Sequence, residues 1–374
     1  MLALPLALAF VGSAAQDPPT ILVGEAMVPV SSLAGDLGSK ERAQVTNWIE
    51  WGSSLGYEAV LDESRRVLLL SPIDRKPVGK RSRATRKSSR KSRANQSALS
   101  TKLALIEATL ASADALFPMP SERAPEGEER GDWLGATERD SLPVLIELRG
   151  PEDLPGLLTH IEESHPYLEQ WARGAAGYSG FTLSRPLVGA WVAAGDGLEE
   201  WSPNNELVNR LTRLLLVERY GRQPRWLDLG LAWQAEMSIM DSVYCFPARA
   251  GFVHIEEHVD WGRALRRLHK DRTRAFSLSE VTSMPRGTFS QDAMHRSWGV
   301  AEFLVKRHAA SIRPLLSDLA EDRLVHGRTY GSDGTWQLIV DYEPSATTQE
   351  ALLHELIGEG ALDELAEFLR EGAK

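Results

Sequence analysis

The sequence predicts an α+β fold: a small N-terminal sheet followed by a mostly helical C-terminal half. Three observations predict it. Strand-like runs fall in the first 195 residues, and from Ser202 onward almost every apolar pattern has helical spacing. Strands first and helices later is an α+β order, not the strict alternation of a parallel-sheet protein. The 374 residues are 43% apolar and 25% charged, ordinary for a globular chain with room for a sizeable core.

Residues 1–15 open with an apolar run from Leu2 to Val11, too short to span a bilayer, which needs ~20 residues. Ser13, Ala14 and Ala15 follow it, small residues of the kind found at a signal-peptide cleavage site. The expectation is an exported protein, periplasmic or extracellular, with a soluble mature chain. Residues 16–74 read as a small lead-in region with strands. The runs 57–62 and 66–71 flank a short polar turn and predict a hairpin. Val28, Trp48 and Trp51 add apolar anchors.

Residues 75–97 are expected to be a flexible linker or loop. Ten cations sit there without one acid: Arg75, Lys76, Lys80, Arg81, Arg83, Arg86, Lys87, Arg90, Lys91 and Arg93. With so little apolar content the segment cannot offset the entropy of ordering. The formal net charge is −10, so the rest of the chain is more acidic still. Nucleic-acid binding by the whole protein is therefore disfavoured, while this one segment could hold an anionic polymer. It contains no aromatic residue on which a base could stack.

Residues 98–374 read as one domain. A helix is predicted over 99–117, with Leu103, Ile106, Leu110 and Ala113 on one face. Residues 118–141 read as a loop and 142–148 as a strand. Residues 151–172 read as a helix in two pieces, interrupted by Pro155 and Pro166. A strand pair is predicted at 178–183 and 187–193. Helices follow at 203–220, 226–240, 260–270, 291–307, 311–322, 346–357 and 361–371. Gly221 suits a helix end and Pro224 the start of the next. The single cysteine, Cys245, excludes an internal disulfide and a cysteine-based zinc cluster, and reads as a buried residue.

The most informative stretch is 204–237, NNELVNRLTRLLLVERYGRQPRWLDLGLAWQAEM. It resembles the gluzincin-type zinc metallopeptidases, in particular the peptidase-MA-like domains. That family carries H-E-x-x-H on one helix and W-L-x-E-G-x-A on the next, the second Glu being the third zinc ligand. Asn205, Glu206 and Asn209 align with the first motif, and Trp226 to Ala232 with the second, Leu229 falling at the third ligand. Twenty residues separate Asn209 from Leu229, the spacing the resemblance requires. It covers about 100–374 and implies a zincin-like fold.

The departures decide the expected function. Zinc is held by imidazole nitrogen, thiolate or carboxylate at ~2.0–2.3 Å. Two amides and a leucine offer no such set, so no cofactor is expected. Glu206 keeps the position of the family's general base. Without a metal to lower the pKa of its bound water, it has no useful hydroxide to generate. Asp228 is one residue from the ligand position, about 100° away around a helix. The expectation is a pseudo-metallopeptidase, a binding or scaffolding module for an unknown peptide or protein, with Trp226, Trp233 and Asp228 near the cleft. Two alternatives stand beside it. One is an active hydrolase with a displaced metal at His254, Glu257 and His258, which spell the inverted pattern H-x-x-E-H. The other is an anionic-polymer binder acting through residues 75–93.

Overall fold

The computed structural model describes residues 20–23, 26–72, 85–120, 141–195, 201–245, 258–270, 277–283, 290–330, 336–339 and 342–373, with the backbone alone at 85–97 and 336–338. The signal-like segment 1–15 lies outside them.

Seven strands form one mixed sheet: β1 (Thr20–Val23), β2 (Ala26–Pro29), β3 (Tyr57–Leu61), β4 (Leu68–Pro72), β5 (Val144–Leu148), β6 (Gly180–Ser184) and β7 (Leu187–Val192). Their order is β2-β1-β3-β4-β5-β7-β6. The expected hairpin is present as β3 and β4, antiparallel, and β6 and β7 form the expected strand pair. At the centre β4, β5 and β7 run parallel. Val144, Leu145 and Ile146 of β5 are wholly buried, as a parallel strand covered on both faces requires.

The separation of 16–74 from 98–374 is corrected here. The parallel pairing of Leu68–Leu70 with Val144–Ile146 joins the two regions in one sheet. The linker boundary also moves, because helix α2 begins at Thr85. Residues 85–116 contain neither Gly nor Pro, and Ala, Arg and Lys favour helix, so helical propensity continues through the second half of the basic run.

Helices cover both faces of the sheet. On one lie α1 (Ser39–Leu55), α3 (Leu154–Ser164) and α4 (Glu169–Ala175). Helix α1, missed in the sequence, buries Val45, Trp48, Ile49 and Gly52 at i, i+3, i+4 and i+7. Pro155 starts α3 rather than breaking it, while the chain does break at Pro166. The other face carries α2 (Thr85–Leu116), α5 (Pro203–Tyr220), α6 (Arg225–Met240), α7 (Trp261–Leu268), α8 (Ser279–Thr282), α9 (Gln291–Arg307), α10 (Ala309–His326), α11 (Ala346–Ile357) and α12 (Ala361–Glu371). A two-stranded ribbon, β8 (Arg328–Tyr330) and β9 (Trp336–Leu338), precedes α11.

Helix α5 lies against β7 and is the axis of this second layer. Its Arg219 guanidinium donates to Phe117 O at 2.9 Å and to Asp114 of α2 at 2.6 Å, clamping the two helices. Gly230 of α6 lets α9 approach: a Cβ there would stand 2.6 Å from Ser297 O. Among the described residues, no helix is long and apolar enough to cross a membrane.

Candidate functional site

Local sequence sets the α5–α6 hairpin. The Ser202 hydroxyl accepts from Asn205 N–H at 3.4 Å, and Pro203 fills the first turn, where its missing N–H is harmless. Helix α5 ends at Gly221, whose φ of 68° favours glycine. Pro224 then opens α6. Asn205 faces Glu236, and Arg213 faces Asp228, so the helices run antiparallel.

Glu236 is the hub of the site. Asn205 Nδ2 donates to its Oε2 at 3.0 Å, and Asn209 Nδ2 to its Oε1 at 2.7 Å. The N–H groups of Tyr244 and Cys245 donate to Oε2 at 2.9 and 3.2 Å. Asn205 Nδ2 also donates to Ser242 O at 2.7 Å, and Trp233 Nε1 to Cys245 O at 2.8 Å, so the loop after α6 is tied down around the carboxyl. Asn205 and Asn209 are 1% exposed and Glu236 not at all. Burial pushes the Glu236 carboxyl up to about 8; the donors from Tyr244, Asn205 and Asn209 oppose that rise and the nearby Glu206 adds to it.

Glu206 occupies a separate, adjoining contact. Its Oε2 lies 2.7 Å from Arg210 Nη2 and accepts from Cys245 Sγ at 3.0 Å. Arg210 Nη1 donates to Thr182 Oγ1 of β6 at 3.1 Å. Glu206 is fully buried and Arg210 1% exposed, so this is an interior ion pair. Burial, then the Glu206 charge, holds the Cys245 thiol well above its ordinary range. A buried, protonated thiol is a donor, not a nucleophile.

The structure brings together Asn205, Asn209 and, beside them, Glu206. Leu229 is packed in the apolar core, and the two amides meet at Glu236 instead. Sequence reading missed Glu236. Its signal was a lone acid in the apolar stretch Leu229–Met237, seven residues after Leu229 and so on nearly the same helical face. Trp226 and Trp233, expected near the cleft, are core residues at 2% and 0% exposure. Helix α6 is enclosed on nearly every side, and the Trp226 indole donates to Gln349 of α11 at 2.7 Å. Asp228 does line a groove, paired with Arg213 at 2.8 Å.

His254 and Glu257 lie outside the described residues. His258 Nδ1 sits 2.8 Å from Val243 O, and its ring stacks on Tyr244 at 4.1 Å. His160 packs against Trp48 and Trp51, and burial lowers its pKa. Of the basic residues, 75–84 lie outside the described residues and 85–97 are described by backbone alone.

The residues at the family's ligand positions do not fit zinc. Both amide Nδ2 groups are spent as donors to a carboxylate, and leucine supplies no donor atom to a metal. Among the described residues, no group of three or more His, Cys, Asp or Glu is arranged to hold a metal ion. No protein-family model matches the chain, and a search of curated proteins finds no match either.

Proposed function

We propose that this protein is a non-catalytic relative of the zincin-like peptidases, exported from the cell, that binds a peptide or protein segment without cleaving it. One observation carries the proposal: the amides of Asn205 and Asn209, at the positions of the family's histidines, both donate to the internal carboxyl of Glu236. The polar cavity a metal would need is filled by the protein's own hydrogen bonds. Glu206 supports the same reading, because Arg210 and Cys245 take up its Oε2 in the interior. A general base must reach the proton it removes, and this carboxylate is wholly buried.

What remains beside the hairpin is a groove of about 210 Å³ between β6 and the helices α5 and α6. Strand β6 is the last of the described sheet, so its outer edge offers main-chain groups to an extended segment.

A cleavage assay on a mixed peptide pool tests the proposal. The wild-type protein is expected to leave the pool intact, with or without a chelator. The Glu206→Gln variant is expected to unfold more easily, by about 3–5 kcal/mol, because Arg210 stays buried without its counter-charge. Cleavage that stops on adding a chelator would instead establish a displaced metal site and revive His254, Glu257 and His258.

A further inference from the structure

Resting on the binding-module reading, we infer that the groove beside β6 selects an extended peptide that carries carboxylates. The first support is the strand's register. Val192 N–H donates to Ser179 O at 2.8 Å, which makes that pair a hydrogen-bonded one. Alternation along the ladder then directs the N–H and C=O of Gly180, Thr182 and Ser184 away from β7. Among the described residues, those three present an unpaired main-chain edge to an added strand.

The second support is charge. Arg213, Arg222 and Arg225 line the groove against two carboxylates, Asp228 and Glu343. Among the described lining residues the balance is positive by one, in a chain whose formal net charge is −10. Arg213 is fixed rather than floppy: its Nε donates to both Asp228 oxygens, at 3.2 and 3.0 Å, and its Nη1 to Thr182 Oγ1 at 3.3 Å. A guanidinium already held in place loses little freedom when it meets a ligand carboxylate.

The third support is alternation. Phe181 and Leu183 turn their side chains into the core on the α3–α4 side of the sheet. Thr182, bonded to Arg210 and Arg213, turns toward α5. A strand laid along β6 would therefore place every second side chain over the arginine side. A peptide alternating a neutral residue with Glu matches that period of two.

Fluorescence anisotropy of the full chain with three labelled seven-residue peptides tests this: alternating Thr–Glu, Thr–Gln and Thr–Lys. The Thr–Glu peptide is expected to bind at least tenfold more tightly than Thr–Gln, and Thr–Lys more weakly than either. Raising the salt from about 0.05 to 0.5 M should erase most of the preference, because exposed charges are then screened. Arg222→Gln with Arg225→Gln should abolish the preference. Glu343→Gln, which removes a carboxylate instead of a cation, should strengthen Thr–Glu binding severalfold and so controls against a mere folding defect. Equal binding of Thr–Glu and Thr–Gln, unmoved by either variant, would overturn the charge inference and leave the binding module standing. No binding of any peptide would overturn both.

Discussion

A fully buried carboxyl with four donors around it is the residue that explains this site. Glu236 is the hub on which Asn205, Asn209 and the loop after α6 converge. Its pKa is raised, so the folded state holds the proton more tightly than the unfolded chain. That contribution to stability is complete below the ordinary value of 4.5 and is lost as pH rises toward about 8. Over that window stability should fall by up to about 1.4 kcal/mol per pH unit. The Glu236→Gln variant should remove this slope in denaturant melts taken from pH 5 to 8. Asn209 Oδ1, which has no hydrogen-bond partner among the described residues, can accept from the new amide after the Asn209 side chain turns over. An unchanged slope in the variant would show that Glu236 is not the titrating group. None of this was legible in the sequence, which showed the two asparagines but not what they were bonded to.

Among the elements, the helices after Ser202 were the most legible part of the chain. α5, α6, α9, α11 and α12 lie within a residue or so of the runs that apolar spacing predicts. Their ends follow local chemistry, such as Gly221 and Pro224. Helix α1 was less legible, because its buried residues are sparse among polar ones. The first turns of α2 were also less legible, since a run of cations gives no apolar period to read. The tightest helix contact is at Gly230, where α9 comes so close that an added methyl group would meet Ser297 O at 2.6 Å and the Ala301 side chain at 3.1 Å. Gly230→Ala should therefore destabilise the protein by about 1–3 kcal/mol despite alanine's better helix propensity. A thermal melt decides it, and a variant that is more stable than the parent would contradict the packing. By moving α6, the same change should also loosen Trp226 from Gln349.

For the whole molecule, the sequence conveyed the class but not the unity. An α+β order was visible, yet the strands before residue 74 looked like a separate region because the basic run interrupts the chain. Strand pairing is a long-range choice, and no local signal announces that β4 will pair with β5 across some seventy residues. The single sheet matters for the site, since it forms the floor beneath α5 and ends in β6 beside the groove. One face holds the internal amide–carboxyl network, and next to it lies β6, the last strand of the described sheet. The account stands on that network leaving no place for an ion, so the zinc content of the purified full chain tests it most directly. After dialysis against metal-free buffer and elemental analysis, well under one zinc per ten chains is the expected result. About one zinc per chain, retained through dialysis and lost together with thermal stability on chelation, would contradict it.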